Sequence, residues 1–485
     1  MAYSHFERLS ALDDSFLELE DGVSHMHIGA VALFEAAPLR TPEGGIDIAR
    51  IEGAVAAGLH RIPRYRQKLA RVPLFDHPVW VDDARFNLHY HVRHTHLPAP
   101  GDERSLKRLA GRLMSQELDR GKPLWEMWVV EGLEGDRFAI VTKVHHCMID
   151  GVGSVELTGA MMRPTPDDDL ALEEPPPVWS PRPAPSGTEL FLSELGHRVG
   201  APLAAVKRMV GSEPSAVLRG ARDVVRGLSE VLATGLSPAS ASPLNVDTGP
   251  HRRFDWLSMD LEEIRKIRKS LGGTINDVVL AIVSGALRRF LHRRGDDVGG
   301  LDFRVMMPVN VRTAATRDHL GNQVAMLTAR LPLDEASARH RLERVIAETT
   351  RSKQSSQASG MQVLEELSDS TFTTLFTQFA RLTTLSRPYN VIVTNVPGPP
   401  CPIYLLGAKM LSVAPLVPLF ANQALGIALF SYDGRIYWGF NADWDALPDL
   451  HELVVATEHE LEALANAASL AGAIAATEMA AARSA

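Results

Sequence analysis

The stretch VTKVHHCMIDGVGS, residues Val141 to Ser154, places two adjacent histidines at the end of an apolar run. The preceding segment DRFAIVTKV has the β-branched and apolar bias of a buried strand, and EGLEGD in front of it predicts a hairpin turn. Asp150 and Gly151 follow the second histidine, where a glycine permits a tight turn or close backbone approach. His145 and His146 are therefore expected where a strand passes into a loop.

The two histidines should have different roles, because successive side chains on an extended strand point to opposite faces. His145 and His146 then cannot reach the same ligand. A zinc site would also need further ligands at matching spacing, which the sequence does not supply. We therefore predict no metal. One histidine can instead act as a general base toward an alcohol or thiol, with Asp150 stiffening the loop.

A cysteine nucleophile activated by histidine is the alternative at this motif. Cys147 follows His146 directly, yet the side chain of His146 should point away from it on an extended backbone. A free cysteine is more often a small buried hydrophobic residue, and we predict that role for Cys147. With Cys401 it is one of 2 cysteines, too few for a disulfide framework, which indicates a reducing compartment.

Length and composition indicate a globular protein of two or three domains, with 485 residues, 45% hydrophobic and 22% charged. The net charge of −9 argues against a nucleic-acid binder. The N-terminal segment lacks a basic start followed by an apolar run, and no window reaches about 18 uninterrupted apolar residues. We expect a protein that is cytosolic or peripheral to a membrane.

Alternating strand and helix patterns occur on both sides of a proline-rich stretch. PTPDDDLALEEPPPVWSPRPAPS is too dense in proline for a helix or central strand, and helical spacing returns over residues 188–236. We predict an N-terminal half over 1–163, a linker with crossover helices over 164–250, and a C-terminal half over 251–485. The locally basic helix between His197 and Arg226 favours a solvated face over a membrane or CoA contact.

The motif formed by His145, His146, Asp150 and Gly151, HHxxxDG, resembles that of the CoA-dependent acyltransferase superfamily. Within it, the chain is similar to the bacterial wax ester synthase/acyl-CoA:diacylglycerol acyltransferase family. The supporting stretches occur in the expected order over nearly the whole chain. They are LSALDDSFLELE, MHIGAVALFE, RIPRYRQKL, HYHVRHTHLP, the PLW element at Pro123–Trp125, the ND element at Asn276 and Asp277, PVNVR, LGNQ and TNVPGP.

The resemblance implies an α/β fold with mixed sheets, built from two chloramphenicol-acetyltransferase-like subdomains with the active-site channel at their interface. It implies that His146 is the general base that takes the proton of the acceptor hydroxyl before attack on the acyl thioester. His145, Asp150 and Gly151 would support its loop. Acyl-CoA would be a co-substrate, with no bound cofactor.

The second half contributes a candidate of its own in TINDVVLAIVSGALRRFLHRRG, the clearest helix of the sequence, which Thr274 can cap. Asn276 matches the family position that reaches the site, and its amide could hold the oxyanion of a tetrahedral intermediate. The alternative is a capping Asn276 beside a structural Asp277. The superfamily's DFG-like element is replaced by FNADWD, which leaves the role of Asp443 open.

The sequence thus predicts an O-acyltransferase that transfers a long-chain acyl group from acyl-CoA to diacylglycerol or a long-chain fatty alcohol, without an acyl-enzyme. Two alternatives are a related acyltransferase with a polyketide or other hydroxyl acceptor, and a non-catalytic lipid-associated protein. The PLW and ND elements argue against a condensation domain. Because the acceptor lies in bilayers, we predict a cytoplasmic protein peripheral to the inner membrane or lipid inclusions.

Overall fold

A computed structural model gives the fold and describes residues 5–148, 156–167, 178–210, 237–310, 324–354 and 386–484. Strands and helices alternate along the chain. The strands are β1 (Phe6–Arg8), β2 (His27–Glu35), β3 (Gln67–Arg71), β4 (Pro78–Asp82), β5 (Val92–His96), β6 (Trp125–Leu133), β7 (Arg137–His145), β8 (Arg252–Asp260), β9 (Arg304–Asn310), β10 (Val324–Arg330), β11 (Val391–Pro397), β12 (Tyr404–Leu405), β13 (Ala408–Leu416), β14 (Leu425–Tyr432) and β15 (Arg435–Asp443). The helices are α1 (Ala11–Leu19), α2 (Ile48–Gly58), α3 (Leu88–His91), α4 (Glu103–Met114), α5 (Glu156–Met161), α6 (Gly187–Val210), α7 (Leu261–Leu271), α8 (Ile275–Arg293), α9 (Ala338–Gln354) and α10 (Leu450–Ser484).

Two six-stranded sheets form the framework of the described chain. The N-terminal sheet has the order β12-β13-β2-β7-β6-β5, and all its pairs are antiparallel except β5 with β6. The C-terminal sheet has the order β10-β9-β11-β14-β15-β8, in which β11 runs parallel to both neighbours. A small three-stranded sheet has the order β1-β4-β3.

One strand pair crosses between the halves. β13 comes from the second half of the chain, yet it pairs antiparallel with β2 of the N-terminal sheet, with Ala414 opposite Val31. The two halves are therefore joined by backbone hydrogen bonds as well as by packing. The boundaries predicted at residues 163 and 250 stay predictions, and residues 168–177 and 211–236 of the predicted linker lie outside the described part.

The C-terminal half is built around α8, whose residues from Asp277 to Leu287 are all buried. It packs against α7, α9 and α10. Its start follows the sequence expectation, because Thr274 is the N-cap and forms a capping box with Asp277. An apolar helix enclosed on all sides is typical of a domain core. Its buried residues share one hydrophobic core with the strands of the C-terminal sheet.

The segment NLHYHVRHTHLP differs from its expected single strand. Leu88–His91 form the short helix α3, and only Val92–His96 form a strand. The cause is local capping and packing. The Asn87 side chain accepts a hydrogen bond from the His89 backbone N–H, while the His91 ring stacks on Trp125 at 4.6 Å between ring centroids.

Arg252 ties the two halves together at one end, beside the buried Asp443. The Arg252 side chain donates to the Val23 carbonyl at 2.5 Å, and its backbone N–H donates to the Ser115 hydroxyl at 2.8 Å. Asp443 is buried and accepts backbone N–H groups from Gly249 and from the turn after β15. The role of Asp443 that the sequence left open is therefore a structural one.

No single helix of the described ranges is both long and apolar enough to cross a membrane. The pair α7 and α8 meets that test only when taken together, and it is bent by 97°.

Candidate active site

A cavity of about 570 Å³ lies between the two six-stranded sheets. Its walls are mostly apolar. The N-terminal sheet contributes Ile28, Ala30, Ala32 and Phe34 of β2 and Ile140, Thr142 and Val144 of β7, while the C-terminal sheet contributes Met306 and Pro308 of β9, Ile392, Thr394 and Val396 of β11, and Ala428, Leu429 and Phe430 of β14. The alternating residues of β2 and β7 on one face thus make a lining suited to an alkyl chain.

His146 lines this cavity. It begins the short 3-10 turn His146–Met148 that follows β7. Its ring stacks on Phe16 at 3.9 Å between centroids, and its backbone N–H donates to the Met26 carbonyl at 2.7 Å. The turn therefore places the side chain in the wall of the cavity.

The surroundings of His146 keep its imidazole neutral. Burial, with a minor contribution from the neighbouring His145, lowers the pKa of the ring from 6.5 to about 4, although a hydrogen bond to its own backbone acts in the opposite direction. Its Nδ1 is buried and has no hydrogen-bond partner among the described residues. A neutral imidazole at pH 7 can accept a proton, as general-base catalysis requires.

His145 lies on the other side of the sheet, as the strand alternation predicts. It is fully buried and does not line the cavity. Its Nδ1 accepts the Cys147 backbone N–H at 3.1 Å, so the ring hydrogen is on Nε2, which lies 3.4 Å from the Glu20 carboxylate. The two motif histidines therefore face different partners.

Glu20 is a residue of this site that the sequence did not identify. Its side chain is 8% exposed and lies within 3.4 Å of ring nitrogens of both His27 and His145. Arg120 donates to the same carboxylate at 2.7 Å. No spacing in the sequence links Glu20 to the motif, because the contact joins the end of α1 to the end of β7, which are far apart along the chain.

Cys147 is buried, as predicted. Burial raises the pKa of its thiol well above the ordinary value, and the nearby carboxylates of Asp13 and Glu20 act in the same direction. The thiol is therefore protonated at neutral pH, whereas a nucleophilic cysteine needs a thiolate. This environment supports packing rather than catalysis for Cys147.

The ND element is divided between two environments. Asp277 is buried and accepts hydrogen bonds from the Thr274 backbone N–H and from the Thr349 hydroxyl, both at 2.7 Å, which gives it a structural role. Asn276 is exposed, does not line the cavity, and accepts a hydrogen bond from Asn395 at 2.6 Å. The cap is Thr274, so Asn276 is not the capping residue, and its oxyanion role stays a prediction.

Two of the predicted site residues, Asp150 and Gly151, lie outside the described residues. Within the described ranges, no group of three His, Cys, Asp or Glu side chains is arranged to hold a metal ion.

Buried neutral histidines make the fold sensitive to acid. Burial lowers the pKa of His27 to about 3 and that of His77 and His146 to about 4, each from 6.5 in the unfolded chain. Between pH 6.5 and 4 the unfolded chain therefore binds more protons than the folded chain. The free energy of unfolding should fall as the pH is lowered through that window. Burial raises the pKa of Asp14 from 3.8 to about 6, so this group stabilises the fold as the pH falls. We expect the three histidines together to outweigh this single carboxyl.

The pH dependence of the free energy of unfolding can be measured by urea unfolding at pH 7, 6, 5 and 4, monitored by circular dichroism. We expect the midpoint to decrease steadily below pH 6.5. A midpoint that stays constant or rises toward pH 4 would contradict the burial of these rings in neutral form.

Two family models and several named proteins match most of this chain. The model of the wax ester synthase/diacylglycerol acyltransferase catalytic domain matches residues 9–279, and that of the WS/DGAT C-terminal domain matches residues 320–465. A Mycobacterium tuberculosis protein named "Probable diacylglycerol O-acyltransferase" is 32% identical over 452 residues, covering 92% of this chain and 93% of that protein. A second M. tuberculosis protein, named a putative diacylglycerol O-acyltransferase, is 33% identical over 455 residues. The match covers 92% of this chain and 88% of that protein.

Solved structures share the fold. The wax ester synthase/diacylglycerol acyltransferase from Marinobacter aquaeolei VT8 superposes with a TM-score of 0.67 at 26% identity, covering 95% of this chain and 100% of that one. The starter condensation domain of rhizomide synthetase, solved with C8-CoA and Leu-SNAC, has a TM-score of 0.58 at 14% identity, covering 96% and 95%. These likenesses confirm the predicted fold class of two linked α/β halves. With both family models matched, the chain belongs to the wax ester synthase/diacylglycerol acyltransferase family and is an acyltransferase.

Proposed function

We propose that this acyltransferase transfers a long-chain acyl group from acyl-CoA to diacylglycerol, to a long-chain fatty alcohol, or to both. The observation that carries the proposal is a neutral His146 at the wall of an apolar cavity of about 570 Å³. An apolar lining favours alkyl chains, since each buried methylene contributes about 0.8 kcal/mol. The names of the relatives point to the same acceptor class.

The proposed chemistry is a direct transfer in a ternary complex, with His146 as general base. The imidazole takes the proton of the acceptor hydroxyl while the oxygen attacks the thioester carbonyl carbon. The new C–O bond gives a tetrahedral intermediate, and its collapse breaks the C–S bond. The departing CoA thiolate takes the proton from His146, which leaves an ester, free CoA and a neutral histidine.

An acyl-enzyme would need a nucleophilic side chain at the cavity. Cys147 is buried and protonated, and Cys401, which lines the cavity, has no described histidine partner that would activate it. Direct transfer therefore agrees with the residues at the cavity wall better than a covalent intermediate does.

The experiment that tests the proposal is an acceptor panel with one long-chain acyl-CoA and the purified chain. We expect ester formation with diacylglycerol or hexadecanol, and one free CoA released for each ester. Ester formation with a hydroxylated polyketide alone would support the alternative acceptor. No turnover with any alcohol would support a non-catalytic lipid-associated protein.

We further propose that the chain works in the cytoplasm, at the surface of the inner membrane or of lipid inclusions, where such acceptors are found. Exposed leucines near the small sheet support this. Leu74, in the turn between β3 and β4, is 91% exposed, and Leu192 of α6 is 59% exposed. The stacked rings of Phe75 and Phe191, 5.5 Å apart, bring the turn and the helix together. Exposed apolar clusters of this kind favour insertion into a lipid interface.

Replacing Leu74 and Leu192 together by glutamate should weaken binding to vesicles of phosphatidylcholine, phosphatidylglycerol and diacylglycerol. Burying a leucine side chain contributes about 1.5–3 kcal/mol. We therefore expect the affinity for vesicles to fall by about tenfold or more. Sedimentation with vesicles measures it. Leu470→Glu, at an exposed leucine of α10, is the matched control and should bind like the wild type. Equal binding by the double variant would place the lipid contact elsewhere.

A further inference from the structure

We propose that Glu20 is a positioning residue for acyl transfer, and that it holds both motif histidines in place from behind the cavity wall. The inference rests on the proposed role of His146 as the base. Glu20 follows α1 directly and does not line the cavity, so it acts through other residues rather than on the substrate. Two separate paths connect its carboxylate to His146.

The first path runs through the ring of His145. Glu20 Oε2 lies 3.4 Å from His145 Nε2, and the opposite ring nitrogen, Nδ1, accepts the Cys147 backbone N–H at 3.1 Å. The imidazole therefore bridges the carboxylate to the backbone immediately after His146. Because Nδ1 must accept, Nε2 carries the ring hydrogen, and the negative charge of the carboxylate 3.4 Å away favours this tautomer.

The second path runs through the backbone of Met26. The Met26 N–H donates to Glu20 Oε1 at 3.3 Å, and the Met26 carbonyl accepts the His146 N–H at 2.7 Å. Glu20 thus holds the peptide that in turn holds His146. The 3-10 turn carrying the proposed base is fixed on both sides of the His146 Cα by contacts that lead to one carboxylate.

The charge of Glu20 suits this function. Burial alone would raise its pKa, but hydrogen bonds from His145, His27 and Arg120 outweigh it and hold the pKa of the carboxyl well below its usual range. Glu20 is therefore ionised at neutral pH and accepts hydrogen bonds only. Its oxygens face donors from Met26, His145 and Arg120. An amide in its place would turn an NH₂ group toward some of these donors.

Glu20→Gln tests the proposal in the full-length chain, assayed with a long-chain acyl-CoA and diacylglycerol. At metal sites, losing the partner that orients a functional histidine costs about tenfold to a hundredfold in activity, and we expect a fall of that size in kcat. The KM values should stay within about twofold, because no substrate contact is removed. Asp119→Asn, which removes the carboxylate of an exposed ion pair beside Arg120, is the matched control and should retain wild-type kcat.

A double-variant cycle with His145→Ala separates positioning from general support of the fold. If Glu20 acts through His145, the combined kcat loss will be close to the larger single loss, whereas independent effects multiply. Circular dichroism and thermal unfolding establish that each variant is folded. If Glu20→Gln is unfolded, Glu20→Asp carries the same test, since it keeps the charge but shortens the reach.

Multiplying losses, a loss that appears in KM, or wild-type kcat in Glu20→Gln would each overturn the positioning role. The proposed function fails in a different way. Activity that survives in His146→Ala would remove the base itself, whereas an inactive His146→Ala beside a fully active Glu20→Gln would remove only the inference about Glu20.

Discussion

Replacing His146 by alanine should lower kcat for ester formation by about a hundredfold to ten-thousandfold, the range that general-base residues contribute. His146 is the histidine that lines the cavity, and burial holds its pKa at about 4, so its neutral ring can take the acceptor proton at pH 7. The assay is the initial rate of triacylglycerol or wax ester formation with purified protein at saturating substrates.

The controls address folding and specificity. His146→Gln keeps most of the side-chain volume against Phe16 and should lose activity to a similar extent, since an amide is not a base at neutral pH. His89→Ala, at a side chain that is 78% exposed, should remain fully active. A folded His146→Ala with near wild-type kcat would show that the base is another group.

Filling the cavity at Ala32 should change chain-length preference rather than abolish the chemistry. Ala32 of β2 lines the cavity and is only partly buried, so a phenylalanine there can extend into the space. Each buried methylene contributes about 0.8 kcal/mol, so excluding about four of them lowers kcat/KM for a long chain by on the order of a hundredfold.

A series of acyl-CoA and alcohol chain lengths measures the effect in Ala32→Phe. Short chains serve as the internal control, because they do not need the blocked space and should react at close to the wild-type rate. An unchanged preference for both the acyl and the alcohol chain would mean that neither chain occupies this cavity.

Local features of the fold could be predicted from the sequence because they depend on short-range chemistry. Alternation along β7 separates the side chains of His145 and His146, and Thr274 with Asp277 starts α8 as its sequence indicates. The family resemblance, read from several ordered motifs, is confirmed by the matches of both family models. For the strand alternation and the helix cap, the deciding interaction lies within a few residues.

What the sequence did not predict depends on long-range packing. The joining of β13 to β2 in the N-terminal sheet is set by pairing between distant segments. Glu20 meets His145 because α1 packs against the turn that follows β7, and a buried carboxylate resembles any exposed glutamate in sequence. For Asn276 the sequence suggested a place at the site that the fold does not give it. Its position in the ND element predicts that it reaches the site, yet Asn276 does not line the cavity.

Direct acyl transfer is tested with the unmodified chain and a long-chain acyl-CoA labelled in its acyl group, with and without diacylglycerol or a fatty alcohol. Direct transfer catalysed by His146 predicts labelled ester and an equal amount of free CoA only when the alcohol is present, with no label on the protein after denaturation. Label that stays on the protein, or a burst of CoA released without alcohol, would contradict it.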